Sequence, residues 1–410
     1  MKGFNHKAII TTIVLFFTLS ITVATAGENS YKIYLDADFT GTKTSSISIQ
    51  QGINVALSEE NFIIDNIRFE LVAKNHRGNS LRSKRNLEKF LKDEQALIVF
   101  SGLHSPPLLA NKEFINSNKI LMLDPWAAAG PITRPKNSNN WIYRLSIDDS
   151  NAGKFISAEA VKEKFRKPFL LLEDTGWGKS NERTMKKALA SNDIAPVGVT
   201  WFNWGLGINH AKVLLRDIKS SGADVIFFVG NAPEGKTFAN AMISLNQEIR
   251  LPIRSHWGIT GGDFAQIINA KARAALDLRF IQTKFSFLSQ PSSKLAQQVF
   301  EKTKMLYPQI KSVDDIKAQT GFIHGYDLTK ILIAAMKQAR LTGIKKNDMK
   351  AIKQALENLK SPVAGLIKDY HKPFSTYSLD NKSAHEALSI QDYAMGHYQS
   401  NNSIALFSNE

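Results

Sequence analysis

The stretch from Phe169 to Ser191 reads FLLLEDTGWGKSNERTMKKALAS. Its first residues are apolar and predict a short buried strand, whereas the apolar residues spaced three or four apart after Asn181 predict a helix. The loop between them carries Gly176 and Gly178, which mark a change of chain direction. A strand, a loop and a helix in this order form the repeating unit of a parallel sheet covered by helices.

The same alternation continues along the chain from Tyr31 onward. Short β-rich apolar runs predict strands, and longer segments of helical periodicity lie between them. The sequence therefore predicts an α/β fold with doubly wound parallel sheets. The predicted strands are Tyr31–Leu35, Ile67–Val72, Ala96–Phe100, Ile120–Leu123, Phe169–Leu172, Val197–Trp201, Val225–Val229, Pro252–Ser255 and Leu278–Gln282. The predicted helices are Gly52–Glu60, Asn86–Lys92, Asn151–Glu163, Asn181–Ser191, Ala211–Ser220, Ala239–Leu245, Leu295–Met305, Leu328–Ala339 and Met349–Leu359.

The N-terminus has the features of a secretory signal peptide. Lys2 and Lys7 precede an apolar run from Ala8 to Ala24, and residues 24–26 form a small-x-small cleavage pattern. We therefore expect residues 1–26 to be removed and the protein to reach the periplasm. An uncleaved membrane anchor is the alternative, disfavoured because serines and threonines interrupt the run. The chain has no cysteine, which excludes a lipid-modified cysteine and any disulfide.

Length and charge narrow the class of protein further. Without the signal peptide about 380 residues remain, enough for two domains of ordinary size. The formal net charge is +15, from 52 Lys and Arg against 37 Asp and Glu. Such a surplus would suit nucleic acid, an anionic membrane or an acidic ligand, but export argues against nucleic acid. Because the basic residues are spread along the chain, we interpret them as a solvated surface.

Four of the six tryptophans follow predicted strands, where open α/β sheets bind their ligands. They are Trp126, Trp177, Trp204 and Trp257, and small or polar residues flank each of them. Two interpretations stay open: the rings fill gaps between helices and sheet, or they form the walls of a cleft. As a wall, Trp177 or Trp257 would stack on a flat ligand or hold a cation, worth about 0.5–2 kcal/mol. Aromatic and cationic solutes both fit.

Several motifs follow one another in an order typical of one family. They are Asp38–Gly41 with the helix that opens near Gln51-Gly52, the strand and serine loop Val99–Ser105, the strand and proline-alanine loop Ile120–Ala128, Tyr143-Arg144, Trp177-Gly178 and Gly325–Asp327. Over nearly the whole mature chain they resemble the branched-chain amino-acid-binding (Leu/Ile/Val-binding-like) group of type I periplasmic binding proteins. Proteins of this family are the substrate-binding subunits of ABC transporters.

The resemblance implies two doubly wound parallel-sheet lobes joined by a three-segment hinge. Lobe one would comprise residues 27–146 and 284–360, and lobe two residues 147–283 and 361–410. The chain would cross between them near Leu145–Asp148, near Gln282–Phe285 and after Gly365. A ligand would then be trapped by hinge closure, which it drives through its extra contacts in the closed form.

The resemblance also implies which residues of lobe one bind the ligand. In the family a serine hydroxyl and backbone amides hold the ligand carboxylate, which points to Ser105, Ala127 and Ala128 here. A helix N-terminus offers donors and a favourable dipole to an anion. Ser105 would also suit a helix N-cap, and one residue can do both. We expect Trp126 and His104 beside them.

From lobe two, we expect Trp177, Asn231 and Trp257 to close over the ligand. In the family an acid after a strand of this lobe binds the ligand amine, but Trp257 stands at the matching position and Asp263 follows several residues later. Ala128 and Asn231 likewise replace a threonine and an aromatic residue that are common in the family. The ligand is therefore expected to differ from an aliphatic amino acid in its polar contacts.

The sequence contains no motif typical of an enzyme active site or a metal site. Glu173 stands where a phosphate-binding loop before Lys179-Ser180 requires glycine, no Gly-x-Ser-x-Gly elbow occurs, and no histidines pair at i, i+4 spacing. His104 and His256 are predicted on opposite sides of the cleft, so a bridging metal or a proton-linked contact stays open beside ordinary polar packing. We expect no enzyme activity, no metal and no cofactor.

These observations predict a monomeric solute-binding protein of an ABC-type importer. Its ligand would be a small polar compound, an amino acid or a relative of one, and its partner an inner-membrane permease. A periplasmic subunit that reports the ligand to a sensor kinase is the alternative, since the fold does not separate the two. A purely structural envelope protein, with a cleft filled by its own side chains, is the third possibility.

Overall fold

The computed structural model describes residues 29–407, so the predicted signal peptide, residues 1–26, lies outside the described residues and stays a prediction. The strands are β1 (Ser30–Ala37), β2 (Ile63–Ile64), β3 (Ile67–Asn75), β4 (Ala96–Ser101), β5 (Met122–Asp124), β6 (Ile142–Arg144), β7 (Pro168–Glu173), β8 (Gly198–Phe202), β9 (Val225–Val229), β10 (Ile253–Ser255), β11 (Leu278–Thr283), β12 (Val363–Ala364), β13 (Asp369–Tyr370), β14 (Tyr393–Tyr398) and β15 (Ile404–Leu406).

The helices lie between these strands, as the alternating pattern predicts. They are α1 (Lys43–Ser58), α2 (Ser80–Lys92), α3 (Ser105–Ser117), α4 (Asp149–Lys162), α5 (Gly176–Ala190), α6 (Ile208–Ser220), α7 (Ala232–Ser244), α8 (Phe264–Ile267), α9 (Ala270–Arg273), α10 (Lys294–Leu306), α11 (Gln319–Ala339) and α12 (Lys345–Glu357). Within residues 29–407, none of them combines the length and the apolar character that crossing a membrane requires.

Two separate sheets form the centres of two lobes. The first has the order β2-β3-β1-β4-β5-β6, and all its pairs are parallel except the β2–β3 hairpin. The second has the order β15-β14-β11-β10-β9-β7-β8, parallel from β11 to β8 and antiparallel at β14 and β15. Strands β4 and β9 are buried throughout, as expected where helices cover both faces of a parallel sheet. The predicted α/β fold with two parallel-sheet lobes is confirmed.

Helices α1 and α11 of lobe one approach each other closely. A side chain at Gly52 would place its Cβ 2.1 Å from the carbonyl oxygen of Phe322, and one at Gly325 would lie 2.8 Å from that of Ile49. Glycine at both positions therefore lets the two backbones touch. The small residues that make this contact carry little hydrophobic signal, and α1 and α11 begin nine residues before their predicted starts at Gly52 and Leu328.

The chain passes between the two sheets three times: after β6, after β11 and before β14. Arg144, at the end of β6, is fully buried and donates to Glu386 at 2.6 and 2.8 Å and to Asp148 at 3.1 Å. The amide of Asp148 in turn donates to the hydroxyl oxygen of Tyr393 at 3.0 Å. A buried guanidinium is tolerated only when carboxylates compensate its lost hydration. This network therefore fixes the first and third connections beside each other.

The last part of the chain is divided between the lobes. Tyr370 donates to Asp327 of α11 at 2.7 Å, and the carbonyl of His385 accepts from the amide of Arg144 at 2.9 Å. Residues 363–387 therefore contact lobe one, whereas β14 and β15 extend the sheet of lobe two. The sequence analysis put all of residues 361–410 in lobe two. We propose instead that the boundary lies between residue 387 and Tyr393.

Candidate functional site

A small cavity lies between the two lobes, beyond the carboxyl ends of the parallel strands. Its space of about 10 Å³ is that of one water molecule, so the lobes are closed upon each other in this structure. Lobe one lines it with Leu103, Ser105, Pro106, Trp126 and Ala128, and lobe two with Glu173, Trp177, Asn231, Trp257 and Gly258. We refer to it as the inner cavity.

Strand topology explains why these residues meet. The lining residues end or closely follow β4, β5, β7, β9 and β10, all of which are parallel members of their sheets. The carboxyl ends of parallel strands lie on one edge, where loops and helix N-termini provide ligand contacts. The inner cavity is formed where the two edges face each other.

Ser105 is the first residue of α3 and is followed by two prolines. Its hydroxyl accepts a hydrogen bond from the amide of Ala129 at 3.2 Å and retains its own proton for donation. Prolines have no amide hydrogen to donate, so the hydroxyl is the main donor that this helix end presents to the cavity. The predicted N-cap role of Ser105 is wrong, because His104 occupies the N-cap position and, among the described residues, no side chain caps this helix end.

Three tryptophans form the apolar walls. Trp126 of lobe one and Trp257 of lobe two have ring centroids 6.0 Å apart, and Trp257 also lies 4.8 Å from the ring of His324. Burial lowers the pKa of His324 to about 3, so this ring is neutral at neutral pH. The indole nitrogen of Trp126 is buried and has no hydrogen-bond partner among the described residues, which leaves a donor beside the cavity.

Trp177 is held by a polar cluster on the lobe two side. Its indole nitrogen donates to Asp149 at 3.2 Å, and its ring meets the ring of His256 edge to face, with 5.0 Å between centroids. The same carboxylate oxygen accepts from Asn181 at 2.8 Å and lies 3.2 Å from Nε2 of His256. Asp149 and His256 are both fully buried. These contacts fix the orientation of the Trp177 wall.

Glu173 is the functional candidate that the sequence analysis missed. Its side chain is fully buried at the end of β7, where one oxygen accepts from Thr175 and the other from Asn231, both at 3.0 Å. Burial raises the pKa of Glu173, and the neighbouring polar groups of Trp204, His104 and Thr175 offset this only in part. In the sequence, Glu173 stands out only as a mismatch to a phosphate-binding loop. Its place at the carboxyl end of a buried strand is the signal that could have found it.

Of the nine predicted site residues, six line the inner cavity: Ser105, Trp126, Ala128, Trp177, Asn231 and Trp257. Ala127 lies behind it, and its amide is already donated to Asp124 at 2.8 Å. That amide is therefore not free for a ligand carboxylate.

The other two predicted residues lie nearer the mouth of the cleft. His104 is 3.4 Å from the carboxylate of Asp38, and its ring lies 5.1 Å from that of Trp204, which reaches across from lobe two. Asp263 is paired with Lys236 at 2.6 Å and lines a second cavity of about 180 Å³, between the start of α1 and the start of α7. Leu103 borders both cavities, so the second lies directly outside the first.

The described residues 29–407 contain no group of three or more His, Cys, Asp or Glu side chains arranged to hold a metal ion. His104 and His256, the pair considered for a bridging metal, have separate partners, Asp38 and Asp149. Each histidine therefore takes part in polar packing within its own lobe.

Comparisons with known proteins agree with this architecture. A family model for periplasmic binding proteins matches residues 34–389. A type 1 periplasmic binding protein from Bordetella pertussis has a TM-score of 0.73 at 16% identity, covering 92% of this chain and 99% of that chain. A search of the curated proteins found no match.

Two further similar structures were solved as ligand-binding proteins. One is a solute-binding protein of an ABC transporter from R. palustris in complex with 4-hydroxybenzoate (TM-score 0.73, 14% identity, 92% of this chain and 95% of that chain). The other is a leucine-binding protein from Thermotoga maritima (TM-score 0.71, 15% identity, 92% and 98%). At such identities the likeness concerns the fold. Together with the family model, which spans most of the sequence, it shows that this chain belongs to the periplasmic binding proteins and has their type I fold.

Proposed function

We propose that the protein captures a small polar solute in the inner cavity by hinge closure and delivers it to the permease of an ABC importer. The observation that carries this proposal is a buried cavity to which both lobes contribute five residues each. This lining comes together only when the lobes approach each other, so a solute held between them favours closure over the open form. Because the space in this structure is that of one water molecule, a bound solute would hold the lobes further apart than they stand here. The permease would then distinguish loaded from empty protein by its shape.

The chemistry of the lining supports a compact solute with a flat or apolar body. Three indole rings supply the walls, while the hydroxyl of Ser105 and the indole N–H of Trp126 supply donors on the lobe one side. Cavities with apolar walls and a few fixed polar groups are typical of small-molecule sites. The similar proteins named above bind 4-hydroxybenzoate and leucine, each of which carries a carboxylate that such donors would receive.

The direct test is thermal unfolding of the mature protein, refolded after removal of bound ligand, against a panel of amino acids, amides, polyamines, aromatic acids and sugars. A solute at a hundredfold excess over its Kd is expected to add about 2.7 kcal/mol to the free energy of unfolding. Absence of any stabilising solute across the panel would contradict the proposal.

Matched variants separate binding from stability. Ser105→Ala and Trp177→Ala are expected to abolish the stabilisation, because both side chains line the cavity. Ser157→Ala and Trp141→Ala remove the same chemical groups at buried positions that do not line it. Trp141→Ala should lower the melting temperature, whereas Ser157→Ala removes a hydroxyl that has no hydrogen-bond partner among the described residues and should change it little. Both controls should keep the shift that the solute produces. Equal loss of binding in the controls would mean that the tryptophans are structural.

A further inference from the structure

In the part of the chain that the structure describes, the lining of the inner cavity carries an acidic side chain but no basic one. Among the described residues that line it, Glu173 is the sole ionisable side chain, and neither lysine nor arginine contributes. His324, whose ring lies tilted against that of Trp257, is kept neutral by burial. The guanidinium of Arg144 is occupied by Glu386 and Asp148. The wall therefore offers a ligand one carboxylate and no fixed cation.

The carboxylate of Glu173 still has acceptor capacity. An ionised carboxylate has about four acceptor positions. Thr175 and Asn231 occupy one on each oxygen, so about two positions stay open. A hydrogen-bond donor of a ligand that enters the cavity would occupy an open acceptor position. The positive charge of a ligand would also favour the ionised form, which burial opposes.

The tryptophans suit the same charge. A cation over the face of an indole is attracted by the ring quadrupole, and the attraction grows when water is excluded, as it is in so small a space. Trp126, Trp177 and Trp257 surround the cavity from both lobes. With the lobes far enough apart to admit it, an organic ammonium group would be surrounded by three such walls and a carboxylate.

From these observations we infer that the solute carries a positively charged nitrogen and that Glu173 is the carboxylate that pairs with it. The inference rests on the proposed function, since it names the chemical class of ligand for the same cavity. It also accounts for Trp257 at the position where an acid would stand in the family. Here the acidic side chain is that of Glu173 at the end of β7, instead of a residue after β10. A carboxylate on the same solute would be received by Ser105 on the opposite lobe.

The test uses three pairs of compounds that are matched in shape and differ in the charged nitrogen. They are choline and 3,3-dimethylbutan-1-ol, L-leucine and 4-methylpentanoate, and 4-(aminomethyl)benzoate and 4-methylbenzoate. Affinity is measured by calorimetric titration of the ligand-stripped mature protein. In at least one pair the nitrogen-bearing member is expected to bind at least tenfold more tightly than its partner. This comparison needs only the wild-type protein.

The variant Glu173→Gln keeps the shape and removes the charge, and it is expected to abolish the preference within that pair. Glu357→Gln is the matched control, because Glu357 is also a buried carboxylate, accepts from the hydroxyl of Tyr143 at 2.9 Å, and belongs to lobe one away from the inner cavity. It should keep the preference. If Glu173→Gln does not fold, the wild-type comparison decides alone.

Three outcomes would overturn the inference. They are no binding by any nitrogen-bearing compound, no pair in which the nitrogen-bearing compound binds at least tenfold more tightly than its partner, or an unchanged preference in Glu173→Gln. Binding of 4-methylpentanoate or 4-methylbenzoate without their ammonium relatives would refute the cation pairing and yet support solute binding. Failure of the proposed function would look different, because then no compound of the broader panel would stabilise the protein.

Discussion

Gly261, which does not itself line the inner cavity, provides a way to test closure. It lies in lobe two with φ −71° and ψ 144°, which any residue adopts, so alanine would not strain the backbone. Its new Cβ would, however, stand 2.9 Å from Cδ1 of Leu103 and 2.9 Å from Oγ of Ser45, both in lobe one and both buried. The added methyl group therefore clashes across the cleft only when the lobes are closed.

The size of the effect follows from these distances. Forcing one extra methyl group into a well-packed region costs about 1–3 kcal/mol. Because the open form does not pay this penalty, Gly261→Ala should weaken solute binding by about 5- to 150-fold while leaving the open protein as stable as before. The control is Gly207→Ala, also in a loop of lobe two with negative φ, where a Cβ would meet nothing within 4 Å.

Two measurements check this prediction. Calorimetric titration with the best solute of the panel gives the Kd, and small-angle X-ray scattering with and without that solute gives the change in radius of gyration. Gly261→Ala should need more solute to become compact, and Gly207→Ala should behave as the wild type. Wild-type affinity and compaction in Gly261→Ala would refute the claim that these two surfaces meet during binding.

Three further predictions concern packing, charge and the mouth of the cleft. Gly52→Ala should lower the free energy of unfolding by about 3 kcal/mol in urea titrations, because its Cβ would overlap the carbonyl oxygen of Phe322; a loss under 0.5 kcal/mol would contradict the helix contact. Burial raises the pKa of Asp124 to about 7, so its ionisation destabilises the fold as the pH rises from about 4 to 7. Asp124→Asn, which cannot ionise, should therefore gain stability relative to the wild type over this range, by at most about 1.4 kcal/mol per pH unit, and a constant difference in urea unfolding from pH 5 to 8 would oppose this. Trp204→Ala removes the ring that reaches His104 from the other lobe and should weaken binding about 2- to 12-fold by calorimetry, with little change in the unfolding of the solute-free protein.

Most strands and helices could be located from the hydrophobic periodicity of the sequence, because apolar side chains mark their buried positions. Strand β9 has its predicted bounds, since an uninterrupted apolar run ends abruptly at Gly230. Helix starts were less predictable where small residues make the contact. Ser45, Ser46 and Ser48 are buried in α1, and the hydroxyl of Ser46 donates to the carbonyl of Asp38 at 2.8 Å. A hydrophobic pattern does not register such positions.

Much of the candidate site followed from one rule, that loops after parallel strands line the cleft. Six of the nine residues predicted with this rule line the inner cavity, and the rule depends only on their place after a strand and not on the type of side chain. It could not tell which oxygen or amide was already used, as at Ala127, whose partner Asp124 precedes it in the same loop. Nor could it reveal that Glu173 points between the lobes, because that depends on how the two sheets face each other.

The position of the tryptophans also makes the native chain a spectroscopic reporter. Trp126 and Trp257 belong to different lobes, and their 6.0 Å separation holds only while the lobes are together. Opening would expose both indoles to water and shift their emission to longer wavelength. Solute capture would thus be visible in the intrinsic fluorescence of the unlabelled protein, in real time and in the presence of a membrane receptor.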